Sequence, residues 1–140
     1  MADSKRETIL KAVKALLVNV PGVAQVYRSR PIPFDRGQLP GVILSWVTDT
    51  PSEEVRGYTD WRLQVVITVC TADDVPDQVA DPIIQDIHSK IMADVSLGGL
   101  SMDIGLSPVQ NEVIEGDKNR GFISMGYRID YRTSFTNLSI

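Results

Sequence analysis

The sequence predicts an α+β fold, a mostly antiparallel β-sheet with two α-helices packed on one face. Three observations carry this. Trp61 to Cys70 (WRLQVVITVC) places Trp61, Leu63, Val65, Ile67 and Val69 on every second position, the period of a strand with one face in a core. Phe122 to Phe135 alternates in the same way, with Ile123, Met125, Tyr127, Ile129 and Tyr131 on one side. Two other stretches, within residues 9–20 and 79–95, repeat apolar residues every three or four positions, the stripe of a helix lying on a core. The order helix, two strands, central strand, helix, one or two strands and a long final strand makes one layered domain over residues 1–140, its strands joined mostly as hairpins.

The first helix opens on a capping box, Ser4-Lys-Arg-Glu7, in which the Ser4 hydroxyl accepts from the Glu7 amide and Glu7 reaches back. Its stripe is Ile9, Ala12 or Val13, Leu16, Leu17 and Val20, with Lys5, Lys11 and Lys14 off it. Pro21-Gly22 stops the helix, because proline cannot continue it and glycine permits a left-handed turn. Val23 to Arg30 reads as a strand with Arg28 and Arg30 on the side of Ala24 and Val26. Leu39 to Val47 reads as the next, with Pro40 tolerated at its start or on an edge. Between them Phe34 to Gln38 is a loop. Thr48 to Tyr58 is an exposed connection or an extended hairpin arm, long enough to suggest an interface role.

Val66, on the second side of the central strand, suggests a strand covered on both faces. Asp74 or Asp77 is placed to cap the second helix, whose stripe is Val79, Ile83, Ile84, Ile87, Ile91, Met92 and Val95. Pro82 means that the helix starts at Asp81 or is kinked. Gly98-Gly99 ends it. Met102 to Leu106 reads as a short strand and Pro108 to Glu115 as another, followed by hairpin-turn chemistry in Glu115 to Gly121. Along the last strand Ser124, Arg128, Asp130 and Arg132 share one side, with Gly126 between them. With Arg62 and Gln64 they imply a charged sheet surface opposite the helices.

Composition narrows the function classes. The chain is 43% hydrophobic and 23% charged, ordinary for a globular domain, and no apolar run approaches the roughly 18 residues of a membrane span. A net charge of −4 argues against nucleic acid as the main partner, since phosphate binding needs clustered cations. The charge is uneven: residues 1–70 carry nine Lys+Arg against seven Asp+Glu, and residues 71–140 five against eleven. Such a split suits a subunit whose sides meet head to tail. The N-terminus lacks the order of a signal peptide. The lone cysteine, Cys70, reads as a small strand residue, and synthesis in a reducing cytoplasm is expected. Asp73, Asp74, Asp77 and Asp81 lack the glycine and closing glutamate of a calcium loop, so capping and solvation outweigh a metal. His88 is the only histidine, which argues against imidazole metal sites and leaves a Ser-His-Asp triad this one candidate, in mid-helix; it belongs on the helix surface or boundary. No dinucleotide or Walker spacing occurs. No enzyme activity and no cofactor are expected.

Three segments carry a resemblance. They are Val20-Pro-Gly-Val-Ala-Gln-Val-Tyr-Arg-Ser-Arg30 with Leu39-Pro-Gly-Val42, then Ala93-Asp-Val-Ser-Leu-Gly-Gly-Leu-Ser-Met-Asp-Ile104 after a helix, and Gly126-Tyr-Arg-Ile-Asp-Tyr-Arg-Thr133. In order and spacing they resemble the tail terminator (minor tail or tail completion) proteins of long-tailed bacteriophages, over most of the chain. The resemblance implies a virion protein, assembled in the host cytoplasm, that forms a hexameric ring on the head-proximal end of the tail tube. Such a ring stops tube polymerisation and presents a surface to the neck connector, by surface complementarity and without a reaction. Its implied partners are further copies of itself, the tail tube protein and the head-completion or neck connector protein, with no nucleic-acid specificity and no membrane. Another neck connector or a tail tube subunit has the same profile, and a small enzyme would need a pocket for which no spacing speaks. The expected contact residues are Arg62, Arg128, Asp130 and Arg132 on the polar sheet face, with Arg28 and Arg30 on the first strand. The connections add Phe34, Asp35 and Arg36; then Glu53, Glu54 and Arg56; then Asp117, Lys118 and Arg120.

Overall fold

A computed structural model describes residues 2–29, 39–114 and 119–140. Within them lie α1 (Lys5–Leu17), β1 (Gln25–Arg28), β2 (Gly41–Val55), β3 (Tyr58–Ala72), α2 (Pro76–Met92), β4 (Asp103–Ile114) and β5 (Arg120–Ser134). The strands form one sheet in the order β1-β2-β3-β5-β4. Every neighbouring pair is antiparallel except β1 and β2, which run parallel. The fold class is the expected one; β1, parallel to β2, and the passage from β3 through α2 to β4, which leaves β5 between them, both depart from hairpin connectivity.

The alternation in β3 and β5 is what builds the core. Their odd-numbered side chains, Leu63, Val65, Ile67 and Val69 with Ile123, Met125, Tyr127, Ile129 and Tyr131, are buried in one cluster. Ile9, Leu10, Val13 and Leu17 of α1 and Ala80, Ile83, Ile87 and Ile91 of α2 close that cluster from the same side. Side chains of the Ile87 kind, removed wholly from water, contribute roughly 1.5–3 kcal/mol each to the hydrophobic term. The central strand is covered on both faces only toward its end, where Thr68 and Cys70 are buried on the side away from the helices. Val66 is half-buried, and on the face away from the helices only Ile43, Cys70 and Phe122, with Tyr27 and Leu39 against them, form a second small cluster among the described residues.

Local details depart from expectation where distant residues compete. Ser4 Oγ accepts from the Glu7 amide at 3.2 Å, as a capping box requires. The Glu7 carboxylate instead pairs with the Arg28 guanidinium of β1, one of the two bonds spanning 3.1 Å. A full charge is a stronger donor than an amide at the helix start. The helix ends at Leu17 rather than at Pro21, with turn residues between, and Gly22 takes a φ of +86°. The stretch 48–58 is the hairpin arm: β2 and β3 pair to Val55 and Tyr58 around Arg56-Gly57. The Leu39–Pro40 peptide is cis.

Helix α2 starts at Pro76, so of the two starts open in the sequence the one before Asp81 is found. Pro76 sits in its first turn, the N-cap is Val75 without a side-chain cap, and neither Asp74 nor Asp77 caps it. Gly121 explains how this terminus is seated: a Cβ there would lie 2.7 Å from Pro76 Cβ, so only glycine lets the helix start approach β5. The helix then runs through Pro82. The two short strands expected after it are one, β4, with a register shift between Leu106 and Val109 that leaves Ser107 and Pro108 as a bulge.

Candidate interaction surface

The face of the sheet opposite the helices carries the charged ladder. Cross-strand partners share a face, so register alone assembles it: Thr50, Arg62, Asp130 and Asp103 form one row across β2, β3, β5 and β4. Glu53, Asp60 and Arg132 form the next row toward the hairpin tip. On the other side of the first row stand Thr48, Gln64, Arg128 and Gly105.

The predicted residues Arg62, Arg128, Asp130 and Arg132 are therefore brought together, each in an internal pair. Arg62 Nε lies 3.2 Å from Asp130 Oδ1, and Arg128 Nε lies 3.3 Å from Asp130 Oδ2. Arg128 also reaches Asp103, at 3.5 Å. Arg132 makes a forked pair with Asp60, at 2.6 and 3.2 Å, and its guanidinium carbon stands 3.8 Å over the Tyr58 ring. The hydrogen bond from Arg132 holds the Asp60 carboxyl below the usual carboxylate range, and Asp60 in turn raises the Arg132 guanidinium. Asp60 and Asp103 are the functional partners that reading the sequence missed. Asp60 stands two residues before Arg62, so strand alternation already places it on the charged face.

The surface is held at the level of the backbone too. Lys5 Nζ donates to the Arg132 carbonyl at 2.8 Å, tying α1 to the end of β5. Ser107, from the β4 bulge, lies over Gly126 and donates to Gln64 Oε1 at 3.0 Å. Gly105 leaves room for the Arg128 guanidinium, which occupies the space a Cβ would take. Single exposed ion pairs contribute about 0–1 kcal/mol each; here the Asp130 and Asp60 carboxylates are 18% and 10% exposed.

The other predicted residues are dispersed. Arg28 lies toward α1, paired with Glu7, away from the ladder. Glu54 and Arg56 flank the hairpin tip, where with Gly57 and Phe135 they line a shallow depression. Glu53 is exposed beside Asp60, and Arg120 is half-buried at the start of β5. Arg30, Phe34, Asp35, Arg36, Asp117 and Lys118 lie outside the described residues.

A second polar group sits on the helix side. Asp49 is 5% exposed; its Oδ2 accepts from the Tyr131 hydroxyl and faces Arg6 Nη1 at 3.4 Å. Arg6 also covers the Trp46 ring, 4.5 Å from its centroid. Burial, with the Asp49 charge beside it, pushes the Tyr131 phenol above its ordinary range. His88 bonds Tyr127 through Nδ1 at 3.0 Å, the boundary position expected for it. Cys70 is fully buried, and burial pushes its thiol up to about 12, which makes it a poor nucleophile. Among the described residues no cluster of His, Cys, Asp and Glu could hold a metal ion.

No protein-family model matches the chain, and no curated protein matches it. Among solved structures the chain is similar to one from the virion of a native gene transfer agent particle, with 14% identity and a TM-score of 0.49, over 93% of this chain and 92% of that one.

Proposed function

We propose that this chain is a structural subunit of a long-tailed phage virion, a tail terminator whose hexameric ring caps the head-proximal end of the tail tube. The charged ladder is the observation that carries the reading, together with the three resembling segments. It is a continuous surface spanning three neighbouring strands, β3, β5 and β4, with its cations and carboxylates already paired. Paired charges cost less to cover than lone ones, and a partner with complementary spacing can exchange pairs without stranding a charge. A partner with the wrong spacing leaves charges unpaired, which is how such a face discriminates. The ladder is thus suited to accept the last tube layer while offering no site for another tube subunit.

The test starts from the solution mass of the purified protein at several concentrations and salt levels, with negative-stain images of the same sample. It continues with elongation of tail tubes in the presence of the protein. A ring that stops elongation is expected. Arg62→Ala is the informative variant because Arg62 is half exposed and Asp130 keeps its pair with Arg128. It should lose capping and keep its unfolding midpoint. Capping at the wild-type level would remove the ladder from the contact, and filaments of the pure protein would mark a tube subunit instead.

A further inference from the structure

Among the described residues the sheet has two unpaired edges on opposite sides, and both carry exposed apolar side chains. On β2, β1 pairs only with Gly41 to Leu44, so from Ser45 to Val55 no described residue pairs with its outer side. Trp46 and Val47 stand there, 39% and 63% exposed. At the other edge no described residue pairs with the outer side of β4, Asp103–Ile114. Leu106, Val109 and Val113 pair with Tyr127, Met125 and Gly121, so by register they belong to the helix-covered face, yet they are 62%, 64% and 47% exposed. Three apolar side chains in line on one strand, beyond the reach of the helices, are an edge that natural sheets normally blunt.

We infer that these edges are each other's partners: β4 of one copy adds to the open length of β2 of the next, head to tail. Two observations select a second copy as the occupant. The directions fit, because β2 and β4 are antiparallel within the sheet, so placing the β4 of one copy beside the β2 of the next continues the alternation. The faces fit, because Trp46 pairs with Val65 and therefore lies on the same face as Leu106 and Val109. The stagger is set by β1, which already occupies the first residues of β2 and confines the incoming strand to the length beyond Leu44. A repeated head-to-tail contact of this kind closes into a ring when its rotation closes. This deepens the ring reading above and rests on it.

The test uses two single-cysteine additions, Val47→Cys and Val109→Cys, in the full chain, with the buried Cys70 left in place and the wild type as control. A short bis-maleimide is added to each variant alone and to a mixture, in solution and on tail-tube ends. The mixture should give covalent dimers while neither variant alone does, because a head-to-tail contact never brings two like edges together. Cross-linking of either variant with itself would overturn the inference. Assemblies of normal mass without cross-links in the mixture would overturn it too, while leaving the ring reading in place. Failure to assemble both in solution and on tube ends would overturn both. As an independent measurement, Val109→Lys should weaken self-association about tenfold or more at an unchanged unfolding midpoint; undiminished association would count against the edge contact.

Discussion

Ser107 stands where the side chain of Gly126 would be: a Cβ on Gly126 would lie 2.5 Å from the Ser107 Cβ. The bulge of β4 thus uses the glycine of β5 to lay a hydroxyl across the charged face, where it donates to Gln64 on β3. Gly126→Ala should destabilise the fold by about 1–3 kcal/mol, the usual cost of overpacking. Urea unfolding measures this, and adding Ser107→Gly should recover part of the loss. Unchanged stability in the single variant would mean that the bulge moves aside freely.

The Asp49 carboxylate is buried with one oxygen held by Tyr131 and Arg6 and the other, Oδ1, without a hydrogen-bond partner. Removing the phenol hydroxyl takes a donor from an acid that already has too few. Tyr131→Phe should therefore cost about 1–3 kcal/mol of stability although it deletes a single oxygen. A change under about 0.5 kcal/mol, typical of uninvolved surface positions, would show that the hydroxyl contributes nothing there.

Acid sensitivity follows from two carboxylate–guanidinium pairs, one in the ladder and one between α1 and β1. Asp60 is held below its ordinary value by Arg132, and Glu7 below its own by Arg28. The folded state thus binds these protons less tightly than the unfolded chain, whose carboxyls titrate near about 4. The stabilisation is complete above that value and is lost as the pH falls through the lower folded values. Denaturant midpoints should be level from neutral pH down to about 5 and should fall below about 4. Asp60→Asn should begin less stable at neutral pH and decline less steeply in acid. An equal decline in that variant would remove the Arg132 pair from the account.

Short-range pattern is where the sequence was most informative. The alternation from Trp61 to Cys70 and from Phe122 to Tyr131 is a property of consecutive residues, and it names both the buried face and the side that bears Arg62, Arg128, Asp130 and Arg132. Ser4 and Glu7 similarly mark a helix start that three residues suffice to specify. In α2 the same local rules misplace the cap, because the start of the helix is settled by Pro76 reaching Gly121 across a long separation in the chain.

The tertiary structure alone decided the rest. Arg132 and Asp60, 72 residues apart, meet because β3 and β5 are neighbours, and Glu7 leaves its cap because β1 brings Arg28 beside it. Whether Leu106, Val109 and Trp46 are core or edge depends on which strand lies next to theirs, and a period of two is the same in either place. Periodicity records which way a side chain points relative to its own strand. What it points at is decided by strand order, and strand order is set by contacts between residues that the sequence keeps far apart.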